Sequence, residues 1–345
     1  MTYCGIDIAM ASSYIYMTDE RGRKKAGGAI ATTAEEFRRA LRRYVRGGLS
    51  VAIEAGNQTA WIHDLLVELG ADVTVVNPTK VKLIAESRRK TDKIDAKILC
   101  ELLRLDGLPH PVHVPDKQTR SLRGLLVARR QLVTARTKLC NVVRGMLRQE
   151  GIRLPSRWLS TYVGWQRLFQ QPLTHSHLPT VLEAYYRSFE ALSRSIQVLD
   201  KQLSQRERAD DRAARLRTMP KVGRIGALTL LAAVDDVDRF DNSRKLVSYS
   251  GLCPTVRSSG ERTEYGSISR AGRSELRAVW VQIAHLVAAD TSPATKRLRR
   301  WFTKVADRRG KKTATVALAR KLLMIAYRLL RDETVYDAAR IGRAA

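Results

Sequence analysis

The sequence has few acidic residues for the number of basic ones. Its 345 residues include 34 Asp and Glu against 62 Lys and Arg, which leaves a net charge of +28. An excess of this size is far larger than solubility requires. It predicts a polyanionic partner, with nucleic acid as the first expectation.

Long apolar runs are also missing. The longest largely apolar stretch, residues 227–234, ends at Asp235 and is much shorter than the roughly 20 residues of a membrane-spanning helix. The first ten residues lack the basic and apolar regions of a secretory signal peptide, and Asp7 lies where the apolar region would be. We therefore expect a cytoplasmic protein with no membrane partner.

Cysteines are few and scattered. The chain has four, none of them in a Cys-x-x-Cys pair, at positions 4, 100, 140 and 253. This spacing argues against both a zinc site and a disulfide framework. The four residues are predicted to be buried thiols.

The first 110 residues alternate strands with helices, which predicts an α/β domain. Thr33 and Glu36 have the spacing of a capping box and mark the start of the first helix. Five strands are predicted, at residues 2–9, 12–18, about 24–31, 51–53 and 72–76.

Two long helices are predicted in the middle of the chain. From residue 119 to 150 apolar residues recur every three or four positions, and residues 120–149 carry eight basic side chains and no acidic one. Residues 181–206 show a second apolar repeat, so the two helices can pair as a coiled-coil hairpin. Glycines punctuate the chain from residue 216, and a helical pattern returns from residue 274 to about 332.

Four acidic residues have the pattern of a metal site. Asp7 lies at the centre of an otherwise apolar predicted strand, where an unpaired carboxylate is costly to bury. Glu54 directly follows a strand, and Asp92 and Asp95 share one face of a predicted helix. Each acid alone is explained by a salt bridge or by a helix N-terminus. Together they predict oxygen ligands for Mg²⁺ in a ribonuclease-H-like site for phosphoryl transfer.

Two sets of motifs carry a family resemblance. The first surrounds the acids and consists of Gly5-Ile6-Asp7, Glu54-Ala55 and Lys90-Thr91-Asp92 through Asp95-Ala96. The second consists of residues 219–226, 251–254, 258–260, 266–272 and 276–277. Together they resemble the DEDD transposases of the insertion sequence 110 family, over residues 1–110 and 215–290.

The resemblance implies a chain in three parts. Residues 1–110 are expected to form an α/β domain of the RNase-H or RuvC-like type. Residues 111–212 are expected to form a helical coiled-coil linker that serves oligomerisation. Residues 213–345 are expected to form a mostly α transposase domain, in which residues 219–226 are similar to a helix–hairpin–helix segment.

The resemblance also implies an activity, that of a site-specific DNA recombinase. The tetrad of such enzymes corresponds here to Asp7, Glu54, Asp92 and Asp95, which would bind Mg²⁺, or Mn²⁺ in its place. A nucleophilic serine, Ser259 by motif position, would join DNA through a phosphoserine intermediate. The implied partners are donor and target DNA, a non-coding bridge RNA that guides their choice, and further copies of the chain in a tetramer built as a dimer of dimers. The implied place of action is the bacterial nucleoid.

The serine has alternatives. Without its flanking motifs, the segment Ser258-Ser259-Gly260 is merely a polar turn. A shift of the alignment by one residue makes Ser258 the nucleophile, and Ser267 and Ser269 are further candidates. A reactive serine needs positive charge near the phosphoryl group, which neighbouring arginines can supply.

Basic residues in three regions are candidate nucleic-acid contacts. Residues 296–321 hold eleven Lys or Arg and one acid, with Trp301 and Phe302 embedded, which suits phosphate contact and base stacking. The alternatives are a solvated helix face and, for residues 120–149, the rim of a coiled coil between protomers. The candidates are Arg123, Arg130, Arg257, Arg270, Arg273, Lys296, Arg299, Arg300, Lys311 and Lys312.

Two other functions stay open at this point. The same scaffold could serve a DNA invertase or a Holliday-junction-type nuclease, which differs from the recombinase in its use of Ser259. The protein could also be a non-catalytic nucleic-acid-binding protein, in which the acids form salt bridges and the charge of +28 binds phosphate by counterion release.

Overall fold

The computed structural model of the protein describes residues 1–84, 91–171, 178–259 and 262–339. Within these ranges the side chains of Arg257, Ser259, Arg262 and Thr263 lie outside the description. The chain divides into two compact units, residues 1–115 and 116–345. The finer division of the second unit near residue 212 stays a prediction.

The first unit is a mixed α/β domain built on one five-stranded sheet. Its elements are β1 (Thr2–Asp7), β2 (Ser12–Asp19), β3 (Lys24–Ala31), α1 (Ala34–Val45), β4 (Leu49–Glu54), α2 (Thr59–Glu68), β5 (Asp72–Val76), α3 (Pro78–Ile84) and α4 (Asp92–Arg104). The strand order is β3-β2-β1-β4-β5, with β1, β2 and β3 antiparallel and with β4 parallel to both β1 and β5. Parallel strands require a crossover, which α1 and α2 provide.

The two faces of this sheet are covered by different helices. Alternate residues such as Ile6 and Ile53 pack on one face, in a core that includes Phe37 of α1 and Ile62 of α2. On the opposite face, Ala52 packs with Leu99 of α4 in a separate cluster. Helices therefore lie on both faces of the sheet, and α4 packs on β1, its central strand, on the second face.

The second unit is mostly helical. Its elements are α5 (Lys117–Gln149), α6 (Tyr162–Phe169), α7 (Leu178–Arg208), α8 (Asp211–Arg217), α9 (Arg224–Val234), α10 (Ser243–Tyr249), β6 (Pro254–Ser259), β7 (Arg262–Ile268), α11 (Ser274–Ala289), α12 (Lys296–Arg309) and α13 (Lys311–Arg331), with short 3₁₀ turns at 158–160 and 293–295. The long helices α5 and α7 pack against each other. Arg129 and Asp200 join them by a 2.6 Å ion pair.

Two cores stabilise the second unit. One lies at the far end of the long helices, where fully buried Trp165 contacts the rings of Tyr186 and Phe189, each at a centroid distance of 5.5 Å. The other surrounds α9, whose residues from Gly226 to Val234 are all buried, and includes buried Trp280 of α11. An all-round apolar helix such as α9 requires neighbours on every side.

The sequence predicted most of these elements, with corrections. The prediction that Asp7 lies at the centre of its strand is wrong, because β1 ends at Asp7. Two helices, α3 and α4, follow β5 rather than one. The helical stretch predicted from residue 274 to 332 is three helices, interrupted near Pro293 and at Gly310, where φ is +79°. The hairpin of β6 and β7 was not predicted.

In the part of the chain that the structure describes, no helix has both the length and the apolar character needed to span a membrane. Three of the four cysteines, Cys4, Cys100 and Cys140, are buried free thiols, and Cys253 is half-buried. Burial raises the pKa of all three buried thiols. Such thiols resist ionisation and behave as small apolar core residues.

Candidate active site

Asp7 and Glu54 lie side by side at the end of two strands. In the parallel pair of β1 and β4, Ile6 is opposite Ile53, so the next residues along each strand are Asp7 and Glu54. Both side chains are half-buried. The carboxyl ends of parallel strands are the usual position of functional groups in α/β domains.

The loops that follow the two acids are joined by hydrogen bonds. Gln58, in the loop after β4, donates its side-chain N–H to the carbonyl oxygen of Ala9, in the loop after β1, at 3.1 Å. Thr32 donates to the same oxygen at 2.9 Å. Within the second loop, Thr59 donates to the carbonyl oxygen of Glu54 at 2.9 Å and accepts from the Gly56 amide at 2.6 Å. The backbone around both acids is therefore held in place.

The helix α4 contacts β1 at Gly5. A Cβ atom on Gly5 would overlap the carbonyl oxygen of Ala96, and would lie 2.5 Å from the amide nitrogen of Cys100. Only glycine permits this approach of the helix backbone to the strand. Gly5 and Asp7 are two residues apart and therefore face the same side of the sheet, the side that α4 covers.

The alignment of α4 with β1 brings its first turn level with Asp7. Cys100 donates its thiol to the carbonyl oxygen of Tyr3 at 3.3 Å, and Ala96 lies over Gly5. The helix therefore runs antiparallel to the strand. From Gly5 to Asp7 the strand advances by two residues, or about 6.6 Å, and four residues of a helix rise by about 6 Å. The helix residue level with Asp7 is therefore four positions before Ala96. That residue is Asp92.

Asp92 and Asp95 both lie in the first turn of α4. Thr91 caps the helix by accepting a hydrogen bond from the amide of Ile94 at 3.3 Å. Asp92 is exposed and Asp95 is half-buried. The positive end of the helix dipole stabilises carboxylates at these positions whatever their function. Lys90, the residue before the cap in the predicted motif, lies outside the described residues.

Asp7 and Glu54 thus end two parallel strands, and the first turn of α4, which carries Asp92 and Asp95, is level with that end. In the described part of the chain, no three His, Cys, Asp or Glu side chains form a group that could hold a metal ion. The four carboxylates nevertheless supply oxygen ligands, which a hard divalent cation prefers. The backbone brings the acids into one neighbourhood, and the metal itself belongs to the proposal below.

The predicted nucleophile lies at the tip of a hairpin in the second unit. Ser259 is the last residue of β6 and is opposite Arg262, the first residue of β7. Ser258 is exposed and lies opposite Thr263. The side chains of Ser259 and Arg257, both predicted site residues, lie outside the described part of the chain.

The base of this hairpin is fixed by Arg277. Its guanidinium donates to the carbonyl oxygens of Ser250 and Arg270, at 3.2 and 3.3 Å, and so joins the loop before β6 to the loop after β7. Gly251 has a φ of +71°, and a Cβ there would lie 2.7 Å from the same guanidinium. The hairpin therefore projects from a rigid base, because its two ends are held by one side chain.

A group of cations lies near this base, and one of them, Arg239, was not predicted from the sequence. The guanidinium of Arg239 lies over the rings of Phe240 and Tyr249, at 4.4 and 4.7 Å from their centroids. Burial would raise the pKa of Tyr249, but hydrogen bonds and charge from Arg273 and Arg239 outweigh burial and lower it. Burial, with the charge of Arg273, lowers the pKa of Arg123 to about 10. Arg123 and Arg273 were among the predicted nucleic-acid contacts, whereas Arg239 belongs to none of the predicted motifs, so no local signal could identify it.

The other predicted nucleic-acid contacts differ in their surroundings. Arg123 donates to the carbonyl oxygen of Ala232 at 2.5 Å, in the last turn of α9, which is a helix-capping role. Arg130 pairs with Glu275 at 3.0 Å, and Arg299 donates to the carbonyl oxygen of Asp290 at 2.6 Å. The exposed members of the set are Arg130, Arg270, Lys296, Arg300, Lys311 and Lys312.

Two family models match the chain in the regions that hold these groups. One, a DEDD model named for IS110 and described as a transposase, matches residues 4–151. The other, described as a transposase of the IS116/IS110/IS902 family, matches residues 213–300. The first match includes all four acids, and the second includes the hairpin and its base.

Curated relatives agree with these models over most of the chain. The transposase for insertion sequence element IS1111A of Coxiella burnetii is 26% identical over 347 residues, which cover 96% of this chain and 90% of the relative. A probable family 20 transposase of Pseudomonas aeruginosa is 29% identical over 293 residues, 83% of this chain and 85% of the relative. The pilin gene-inverting protein of Moraxella bovis is 30% identical over 275 residues, 77% of this chain and 74% of the relative.

The fold, the acids and these likenesses together define a DNA transposase, an enzyme that cleaves DNA and transfers its strands. More particularly, the chain belongs to the IS110 family of transposases.

Proposed function

We propose that the protein is a Mg²⁺-dependent recombinase of an insertion sequence, which cuts and rejoins DNA through a phosphoserine intermediate under the guidance of a non-coding bridge RNA. In this proposal residues 1–110 form an RNase-H or RuvC-like domain with a tetrad of Asp7, Glu54, Asp92 and Asp95. Ser259 is the nucleophile.

One observation carries the metal-dependent part of the proposal. The close contact of α4 with β1 at Gly5 sets the first turn of the helix level with Asp7, beside the end of β4. The strand-end pair of acids and the helix turn that carries the other pair are therefore at the same end of the domain. A shared cation would require the two pairs to be at the same end of the domain, and this alignment therefore supports the proposal.

The tetrad would hold the cation through carboxylate oxygens. Asp7 and Glu54 are held by the sheet and by the tied loops, so they form the fixed half of the site. Asp92 and Asp95 stand on the first turn of α4, whose position depends on Gly5. When bound, Mg²⁺ or Mn²⁺ would stabilise the charge that develops on phosphoryl oxygens during strand cleavage.

Ser259 would take part in the covalent step. Its Oγ would attack a DNA phosphorus, so that an O–P bond to serine forms as one P–O bond of the strand breaks. The serine hydroxyl would lose its proton to a base, and the leaving oxygen of the strand would take up a proton and become a free hydroxyl end. The hydroxyl group of a second strand then attacks the same phosphorus and releases the serine. Each step conserves the number of phosphate ester bonds, so a cut strand can be rejoined without another energy source.

The net charge of +28 supports the nucleic-acid partners of the proposal. If a guide RNA selects the target, the protein needs to contact only the phosphate backbone and does not need to recognise bases. The apolar repeats of α5 and α7 support a coiled-coil tetramer, in the form of a dimer of dimers.

The proposal is tested with purified protein and a supercoiled plasmid that carries the element's ends and its non-coding flank. With Mg²⁺ we expect strand cleavage and a DNA-linked protein on denaturing gels. Asp7→Asn should abolish cleavage, and Ser259→Ala should abolish the linked species. Ser258→Ala is the matched control and should retain both, since it lies one residue away on the same strand. A linked species in Ser259→Ala would contradict the assignment of the nucleophile.

The RNA is tested separately, by sequencing the RNA that co-purifies with the full chain expressed beside its own flanking DNA. A single structured RNA from the non-coding flank is the expected result. Random cellular RNA would contradict RNA guidance while leaving the metal-dependent chemistry untouched.

DNA inversion is a second candidate, favoured by the relatives named pilin gene-inverting proteins in Moraxella bovis and Moraxella lacunata. Inversion joins the same kinds of strand end within one molecule. A plasmid with two inverted element ends would distinguish the two outcomes, because inversion reorients the intervening segment and transposition moves it to a new site.

A further inference from the structure

A cavity at the C-terminal end of the second unit has no part in the site described above. The helices α12 and α13 form an antiparallel hairpin that turns at Gly310. After α13 the chain returns across them, held by Arg297, which donates to the carbonyl oxygens of Ala338 and Ala339 at 3.0 and 2.6 Å. Between the two helices and the returning segment 334–337 lies a cavity of about 510 Å³.

The cavity combines apolar walls with cations. Trp301 of α12 faces it, together with Met324 and Ile325 of α13. Arg320, Lys321 and Arg328 of α13 also line it. Two carboxylates, Asp332 and Asp337, lie at the same cavity, so the cations outnumber the acids. Among the described residues none of the three cations forms an ion pair with a carboxylate.

Two residues that line the cavity, Arg320 and Tyr336, each have a buried polar atom without a hydrogen-bond partner in the described part of the chain. These atoms are the Nε of Arg320 and the hydroxyl oxygen of Tyr336. An unmet buried hydrogen-bonding group costs free energy comparable to a lost hydrogen bond, so such groups point to a ligand. Burial, with a smaller contribution from Asp337, raises the pKa of Tyr336 to about 12. The phenol therefore keeps its proton and can donate it.

The basic side chains of the cavity form no ion pair with a carboxylate of the described residues, and Lys321 lies beside an aromatic ring and another cation. The ammonium group of Lys321 lies 5.1 Å from the centroid of the Trp301 ring. Burial, with repulsion from Arg328, lowers the pKa of Lys321. A cation that has lost hydration and has a like charge beside it gains most from an arriving anion.

We propose that this cavity binds one unstacked nucleotide of a single strand, with its base against the Trp301 wall and its phosphate at Lys321 and Arg328. The chemistry of the lining matches that of a nucleotide. An aromatic ring and apolar side chains suit a planar base, and unpaired cations suit a phosphate. The hydroxyl of Tyr336 suits an acceptor atom on the base. The volume also lies in the range of small-molecule pockets. The inference rests on the proposed function only in requiring that the protein binds nucleic acid, and the nucleotide can come from DNA or from RNA.

The test compares single strands with duplexes in EDTA, where no cleavage occurs. The probes are a 12-nucleotide DNA, the RNA of the same sequence, and the blunt DNA duplex. Tyr336→Phe removes only the hydroxyl and should weaken single-strand binding about fivefold, with the duplex affected less than twofold. Whether the loss falls on the DNA strand or the RNA strand identifies the source of the nucleotide.

Lys321→Gln has a matched control in Lys304→Gln, which removes the same charge from an exposed position on α12. Lys321→Gln should weaken single-strand binding more than Lys304→Gln does. In addition, strands that carry 5-iodouracil should form photo-crosslinks to Trp301 or Tyr336 in the wild-type protein.

Equal losses for single strand and duplex in Tyr336→Phe, or crosslinks only outside the cavity, would overturn this inference. Those results would leave the proposed recombinase untouched, since it depends on the acids and Ser259. A wild-type protein that binds none of the three probes would overturn both.

Discussion

Gly5 of β1 lies against the carbonyl group of Ala96 of α4 so closely that no side chain fits between them. This contact aligns the helix with the strand and sets the first turn of α4, which carries Asp92 and Asp95, level with Asp7 at the end of β1. The two pairs of acids come from separate elements, so their relative position depends on a residue that has no side chain.

The first prediction concerns this contact. Gly5→Ala should push α4 away from the sheet, because the new Cβ would overlap the Ala96 carbonyl oxygen. We expect a loss of about 2 kcal/mol in the free energy of unfolding, within the range for overpacked cores, and a loss of strand cleavage. Urea unfolding followed by circular dichroism, together with the plasmid assay, measures both.

Gly28→Ala is the control for Gly5→Ala. Gly28 is also a sheet glycine, on β3, and nothing lies within 4 Å of the position its Cβ would occupy. We expect no loss of stability and normal cleavage. A Gly5→Ala protein as stable and active as Gly28→Ala would contradict the importance of the contact.

The second prediction separates catalysis from helix capping at α4. Asp95→Asn removes a carboxylate from the first turn, which should lower stability by less than about 1 kcal/mol through the helix dipole. Strand cleavage should fall at least about 100-fold if the carboxylate binds metal. Glu35→Gln changes a comparable first-turn acid of α1 and should affect stability to the same extent. Retained cleavage in Asp95→Asn would show that the acid only stabilises its helix.

The third prediction is a pH dependence of stability that comes from Asp290. Its carboxylate accepts hydrogen bonds from Ser292 at 2.5 Å and Thr295 at 3.1 Å, and Lys221 lies 3.0 Å away. The hydrogen bonds from Ser292, Lys221 and Thr295 lower its pKa from 3.8 to about 2. The folded protein therefore holds this proton less tightly than the unfolded chain does. The associated stability is complete above about pH 5 and is lost as the pH falls from about 4 to about 2.

Asp290→Asn tests this dependence, since the amide does not titrate. Between pH 4 and pH 2 the free energy of unfolding of the wild-type protein should fall more steeply than that of the variant. Asp307→Asn, at an exposed position on α12, should follow the wild-type slope. Parallel slopes for wild type and Asp290→Asn would show that the carboxylate contributes nothing to the acid dependence.

Local patterns predicted much of the first unit. Alternating apolar residues identified the strands, and Thr33 does cap α1, accepting from the amide of Glu36 at 3.4 Å. The hairpin of β6 and β7 was not predicted, because its side chains show no such alternation of apolar residues. Val256 and Tyr265 point to solvent, with 56% and 72% of their surfaces exposed. A strand pair that buries little carries no periodic signal.

The site could be predicted only in part, for a related reason. The acids at the ends of β1 and β4 follow from strand boundaries, which are visible in sequence. The role of Gly5 depends on a helix more than 85 residues later, and the stack of Arg239 on Tyr249 joins the loop after α9 to the end of α10. Such contacts are set by tertiary packing between separate elements, which a single sequence does not record.

The last prediction concerns the long helix α5, where Gly145 is exposed and nothing lies within 4 Å of its missing Cβ. Gly145→Ala should stabilise the protein by about 0.5–1 kcal/mol, because alanine loses less backbone entropy in a helix. Gly164→Ala in α6 should do the opposite, since its Cβ would overlap the backbone of Trp158. Thermal unfolding of both variants measures the difference. A destabilised Gly145→Ala protein would mean that another helix packs closely on this face in solution, as a protomer contact through the coiled coil would require.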